Sequence, residues 1–172
     1  FGLGPYLLKT ILNNSGVNIL AVGGRSKKRL KESLTHVEKK KRENILLFSG
    51  KELDSIFDLK EVQLIIIATP DHSHLKFVKK ALYAKKHVLV EKPITVSIED
   101  AQDLVTIAKA KDLILQVGHL ERFNAAMLDL DQVLTEPKFI ETHRLAPYKP
   151  RATDVDVILD LMIHDIDIIL AT

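Results

Sequence analysis

Two stretches of this sequence concentrate side chains that can move a proton. Glu91-Lys92-Pro93 closes an apolar strand pattern at His87–Val90. Pro93 forces Lys92 into extended backbone and ends strand pairing, so the lysine sits on a rigid edge. Glu91 beside it can anchor the ammonium or the backbone. A Lys-Pro pair alone is also compatible with an ordinary surface lysine. The second stretch is Asp160-Leu-Met-Ile-His164, inside a helical pattern from Asp156 to Leu170. Residues at i and i+4 are about 6 Å apart along a helix and nearly on one face. Asp160 and His164 then form either a structural hydrogen bond or a working pair, with Asp160 orienting His164 or sharing a substrate hydroxyl with it. Asp167 borders the same face. The surrounding Val157, Ile158, Leu161, Ile163 and Ile166 bury the rest of the helix, so the polar pair needs a partner or a cleft. The glutamate of a His-Glu-x-x-His zinc motif is missing, and no metal is expected.

Four other places can hold a ligand. Gly2-Leu3-Gly4 precedes a helical pattern at Tyr6–Leu12, and glycines there let backbone approach a pyrophosphate at a helix N-terminus. Leu7 stands where the third glycine of Gly-x-Gly-x-x-Gly belongs. Gly23-Gly24-Arg25-Ser26 ends the apolar run Val17–Val22, where dinucleotide-binding proteins read the adenosine ribose. An acid there favours NAD. A glycine followed by Arg25, with Ser26 as a further donor, offers a guanidinium to a 2′-phosphate, so NADP is favoured over NAD. Thr69-Pro70-Asp71-His72-Ser73-His74 follows the most apolar strand pattern, with Pro70 at a helix start. Thr69 can cap that turn, and His74 is either structural or cofactor-lining. In Gly118-His119-Leu120-Glu121-Arg122-Phe123-Asn124, Arg122 can bind an anion, and His119 or Asn124 a sugar hydroxyl.

The elements that must position these residues alternate. Strand patterns at 17–22, 44–48, 62–68, 87–90 and 113–117 are separated by amphipathic helices. The helices are expected over 26–40, from a Ser49/Glu52 capping box to Phe57, around Leu75–Tyr83, and from Ser97 onward. That order means βαβ units and a parallel sheet, whose ligands bind beyond the carboxyl ends of the strands. After Val133 the pattern changes. Phe139–Leu145 reads as a strand, and residues 147–153 form a proline-containing loop. The expected organisation is a dinucleotide-binding domain over 1–119 and the beginning of a second domain over 120–172.

Composition narrows the alternatives. The 172 residues carry 25 Lys+Arg against 23 Asp+Glu, a net charge of +2, which gives no support to nucleic acid as the main partner. Residues 1–49 hold 10 basic and 3 acidic side chains, most of the excess in Arg25–Arg42. That run reads as a solvated helix face. No cysteine is present, so disulfides, thiolate nucleophiles and zinc–thiolate sites are excluded. The longest apolar run is far shorter than the ~20 residues of a membrane helix. No signal peptide is visible, and the expected compartment is the cytoplasm.

Taken in order, Ala-Thr-Pro-x-x-x-His at 68–74, His-Val-Leu-Val-Glu-Lys-Pro at 87–93, Val-Gly-His-Leu-Glu-Arg-Phe-Asn at 117–124 and Asp-x-x-x-His at 160–164 resemble the glucose–fructose oxidoreductase / inositol dehydrogenase (Gfo/Idh/MocA) family. The Glu-Arg-Phe-Asn run, with His-Arg-Leu-Ala-Pro at 143–147, is similar to a branch that includes UDP-N-acetylglucosamine 3-dehydrogenases. The resemblance implies a Rossmann-like doubly wound parallel sheet followed by an α/β substrate domain with a mostly antiparallel sheet. It implies hydride transfer between a sugar or nucleotide-sugar hydroxyl carbon and NAD or NADP. His164 would be the general base, Lys92 would hydrogen-bond the reacting oxygen, and Asp160 would hold the substrate or tune the pair. A homo-oligomer is implied for the whole enzyme, and neither a membrane nor nucleic acid as partner. The alternative is a non-catalytic NADP(H)-binding regulator of the same fold. Because Gly2-Leu3-Gly4 has no strand before it, the expectation is an internal piece of a roughly 300-residue, two-domain enzyme, poorly stable and inactive alone. The strand patterns at 17–22 and 62–68 would then lack a shared neighbour.

Overall fold

A computed structural model describes residues 4–12, 14–35, 37–131, 133–145 and 156–171. Gly2 and the loop at 147–153 lie outside the described residues. The strands form two parallel ladders. β1 (Ala21–Gly24) pairs with β2 (Leu46–Ser49), with Gly24 opposite Ser49. β3 (Leu64–Ile67), β4 (His87–Val90) and β5 (Leu115–Val117) form the second ladder, in that order. Among the described residues no ladder joins β1 to β3. The class is α/β with parallel strands, and the five strands of the described residues fall inside or within two residues of the sequence patterns.

The core explains why β4 is the rigid centre. Its Val88 and Val90 are fully buried, because α4 (His74–Tyr83) and α5 (Ile98–Ala110) cover the sheet. Val78, Ala81 and Leu82 of α4 and Leu104 and Ala108 of α5 meet them there. Each fully buried leucine or valine stabilises the fold by about 1.5–3 kcal/mol. Ser97 caps α5 by accepting from the Asp100 amide at 3.2 Å, and Glu99 and Asp100 favour the positive end of the helix. A 3-10 helix, Gly50–Asp58, links the two ladders. Its Phe57 stacks on Phe77 at 6.2 Å, and its Leu53 and Ile56 reach Gly23 of β1.

Several local expectations are corrected. The single helix over 26–40 is two short ones, α2 (Lys27–Ser33) and α3 (Lys39–Arg42), after α1 (Gly4–Leu12). The Ser33 and Thr35 hydroxyls donate to Leu30 O and Glu32 O, both at 2.8 Å, taking up carbonyls as α2 ends. Ser49 makes no side-chain cap, and the segment it precedes is a 3-10 helix throughout. Phe139–Leu145 forms no strand. After α6 (Ala125–Asp131), the long final helix has two parts: a π-helical turn at Ile158–Met162 and α7 (Ile163–Ala171). Asp156 starts it, its carboxylate accepting from the Ile158 and Leu159 amides at 2.9 Å each.

Candidate active site

Lys92 and the last helix meet. The Lys92 ammonium donates to the Asp160 backbone oxygen at 2.6 Å and to Asp160 Oδ1 at 3.2 Å, across 68 positions of sequence. Both side chains are largely shielded, at 15% and 27% exposure. The π turn has a mechanical role here. Asp160 lies within the π turn, and its backbone oxygen takes Lys92 as a donor. Lysine has three N–H donors, so one is left beyond these two bonds.

The expected hydrogen bond between Asp160 and His164 is not present among the described residues. Asp160 is spent on Lys92, and the π turn breaks the i, i+4 alignment that an uninterrupted helix would impose. His164 Nδ1 is instead buried without a hydrogen-bond partner. Burial pushes the His164 imidazole below its ordinary 6.5, and the Lys92 and Arg144 charges push the same way, against Glu121. The ring is therefore neutral at neutral pH. Because its folded value is depressed, its contribution to stability is present above 6.5 and is lost as the pH falls through the folded value. Arg144→Gln removes one of the depressing charges and frees Asp165, so the His164 value moves up. The shift is read from its ring resonances in an NMR titration, and an unmoved titration would mean that Arg144 plays no part in the depression.

Two arginine forks hold α7 on either side of His164. Arg122 Nε and Nη2 donate to Asp167 Oδ2 and Oδ1, each at 2.6 Å. Arg144 Nη2 donates to Asp165 Oδ1 at 2.8 Å, and Nε reaches both oxygens of that carboxylate. The guanidiniums lower the carboxyl values of Asp165 and Asp167 below the usual range. This corrects the reading of Arg122 as an open anion site: its anion is Asp167, within the chain. Asn124 Oδ1 accepts from the Ala126 amide at 3.1 Å and starts α6. His119 Nδ1 is buried, unpartnered and 3.7 Å from Asp167 Oδ1, beyond hydrogen-bond range. His119 also lines a hollow of about 230 Å³ with Pro93, Val117, Leu159 and Ile163. Sequence reasoning assigned no role to Arg144 or Asp165. The available signal was the two acids that follow His164, Asp165 and Asp167, in an apolar helix, which call for cations.

The turns after β3 and β4 are bound to each other. His74, 1% exposed, has Nδ1 at 2.7 Å from Pro93 O and Nε2 at 2.8 Å from Thr69 O. Both nitrogens are used inside the protein, which corrects the reading of its side chain as cofactor-lining. Thr69 does not cap the following turn. Its hydroxyl lies 2.7 Å from Ser73 Oγ, which also approaches Pro70 O at 2.6 Å. Glu91 is half-buried with its carboxyl against Gly118, where an added Cβ would meet it at 3.3 Å. Burial raises the Glu91 value, partly offset by the Lys92 amide and by the charges of His74 and Lys92. The Lys92–Pro93 peptide is cis.

At the end of β1, Gly24 lies against the Leu30 side chain. A Cβ there would lie 2.9 Å from Leu30 Cδ2. Arg25 is exposed, and half-buried Ser26 caps α2, accepting from the Arg29 amide at 3.5 Å with its own hydroxyl proton free to donate. Gly4 opens α1.

Residues 2–119 match a family model, GFO_IDH_MocA, described as an oxidoreductase family with an NAD-binding Rossmann fold. UDP-N-acetylglucosamine 3-dehydrogenase of Acidithiobacillus ferrooxidans is 42% identical over 113 residues, 65% of this chain and 36% of that protein. The scyllo-inositol 2-dehydrogenase (NADP(+)) IolW of Bacillus subtilis is 28% identical over 129 residues, 67% of this chain and 36% of that protein. The solved structure of UDP-N-acetylglucosamine 3-dehydrogenase GnnA from Acidithiobacillus ferrooxidans superposes with a TM-score of 0.81 at 32% identity. That likeness covers 98% of this chain and 52% of the other. The chain spans about a third of the length of the curated relatives it matches.

Proposed function

Since the chain belongs to the Gfo/Idh/MocA family of NAD-binding oxidoreductases, we propose that its site serves an NAD(P)-dependent dehydrogenase. The reaction moves a hydride between a hydroxyl carbon of a sugar or nucleotide sugar and a nicotinamide. UDP-N-acetylglucosamine is the first substrate to try, because a dehydrogenase of that sugar is 42% identical over the matched residues. The observation that carries the reading is the convergence of Lys92 with Asp160, next to an unpaired, neutral His164.

The residues present fit a dinucleotide. Gly24 keeps the β1 end free of a side chain, exposed Arg25 and half-buried Ser26 follow it, and a partnerless imidazole nitrogen lies near a lysine with a spare donor. Arg25 and Ser26 would hold the adenosine end, Gly2 and Gly4 the phosphates, and Thr69, Pro70 and Glu91 would line the path towards Lys92. The nicotinamide, when bound, supplies the hydride acceptor. His164 takes the proton of the substrate hydroxyl, which a neutral imidazole can accept. Lys92 donates its remaining N–H to the reacting oxygen and stabilises the charge that develops there. Asp160 holds the ammonium in place from two atoms. This reading takes 1–119 as the dinucleotide-binding unit and 120–172 as the start of the substrate domain. It takes the cytoplasm as the compartment and a homo-oligomer as the working form.

The test follows reduced cofactor by absorbance in the intact protein with UDP-N-acetylglucosamine and a panel of sugars. Cofactor binding by calorimetry with no turnover across the panel would replace the dehydrogenase with a non-catalytic NADP(H)-binding regulator. For the cofactor itself, Arg25→Ala weakens NADP more than NAD, because only NADP carries the 2′-phosphate. Calorimetry with both cofactors checks this, and an equal loss for the two refutes the phosphate contact.

A further inference from the structure

We propose that His74 is a positioning residue for Lys92: its buried ring lies between two backbone carbonyls and ties the turn after β3 to the turn after β4. The proposal rests on the functional reading above only for its activity readout. His74 opens α4 and is packed beside Val78 and Leu82, among the most deeply buried side chains of the described residues. Its Nε2 faces Thr69 O at 2.8 Å, two residues past β3, and its Nδ1 faces Pro93 O at 2.7 Å, three residues past β4. β3 and β4 are neighbours in register, Ile67 beside Val90. One ring therefore spans two adjacent strand exits.

A carbonyl oxygen only accepts, so a ring N–H aimed at one is held by it. Nδ1 faces the Pro93 carbonyl at 2.7 Å and Nε2 the Thr69 carbonyl at 2.8 Å. A leucine or phenylalanine would fill this space without burying a polar ring, so packing alone does not explain a histidine here. What the histidine adds is a fixed position for the Pro93 carbonyl. Lys92 is the residue before it, and from that backbone the ammonium reaches Asp160 O at 2.6 Å. Releasing the Pro93 carbonyl lets the peptide rotate and carries the ammonium away from the reacting oxygen.

The experiment compares the intact protein with its His74→Phe and His74→Gln variants, with kcat and KM measured separately and thermal unfolding recorded for each. Phe keeps the volume and supplies no donor. Its kcat is expected to fall about 10²-fold, the cost of a 1 Å misplacement of a reacting group. Gln, which keeps an N–H donor, recovers part of kcat. A folded His74→Phe protein with unchanged kcat overturns the proposal. The second measurement needs no variant: NMR detects an N–H on Nδ1 of His74 hydrogen-bonded to the Pro93 carbonyl. An Nδ1 without that hydrogen bond overturns the proposal, even where the Phe variant fails to fold. If the unsubstituted protein turns over no sugar, the dehydrogenase reading is lost while the ring spectrum still decides the contact of His74 with Pro93.

Discussion

His164→Asn and Lys92→Met each lower kcat by about 10²–10⁴-fold, the range for removing a group that transfers or stabilises a proton in the transition state. The two losses have different origins. Asn at 164 leaves the helix and its forks intact, since Asp165 and Asp167 hold Arg144 and Arg122 without the imidazole. KM for the sugar then changes little, and the loss falls on kcat. Met at 92 keeps the length of the side chain and its packing but leaves the Asp160 carboxylate and carbonyl without their donor. Part of its loss is therefore misplacement of the last helix, and KM rises as well. Lys92→Arg does not restore activity, because a planar guanidinium cannot offer the compact charge that fits between Asp160 O and the reacting oxygen. Because the pair acts as a unit, the double variant is hardly worse than the poorer single one. Steady-state kinetics on the four proteins checks this. Unchanged turnover in the double variant would falsify the assignment of both residues.

Leu82→Ala has the largest expected effect on stability, a loss of about 2–5 kcal/mol. Leu82 is fully buried on α4, in the cluster that includes Val88 and Val90 of β4. Its removal opens a cavity directly beneath the strand that ends in Glu91-Lys92. The midpoint of chemical denaturation falls with little change in slope. Leu82→Met, which conserves volume, costs less than about 1.5 kcal/mol. A Leu82→Ala protein as stable as its parent would mean that α4 can close onto the sheet, and that the packing around Lys92 is looser than the burial of Val88 and Val90 implies.

How much of this was legible in the residues differs from place to place. The strand at His87–Val90 could be read to the residue, because an apolar run cut by Pro93 leaves one register. The helix after Ser97 was equally plain from its cap and its acidic first turn. The ends of the other strands were less sharp, since an apolar stretch such as 62–68 continues past the point where its neighbour stops pairing. The helix over 26–40 was overread because its leucine stripe, Leu30 and Leu34, is short, and hydroxyls at 33 and 35 compete for carbonyls at the C-terminal end of α2. The i, i+4 spacing of Asp160 and His164 suggested a pair. A π turn has no clear periodic signal, so that spacing could not show that the pair is split.

The sequence by itself determined the parallel α/β class, the family, and the presence of Lys92, Asp160 and His164 as the residues able to do chemistry. These follow from local pattern and residue type, which do not depend on what lies across the fold. Only the tertiary structure decided how those residues are used. It gave Asp160 to Lys92, Arg122 to Asp167 and Arg144 to Asp165, and it left Nδ1 of His164 without a partner among the described residues. It also turned His74 inward, onto two carbonyls. Hydrogen bonds and charges are satisfied by whatever lies within about 3 Å once the chain has packed. A side chain's chemical type is therefore written along the chain, while its partner is set by the fold.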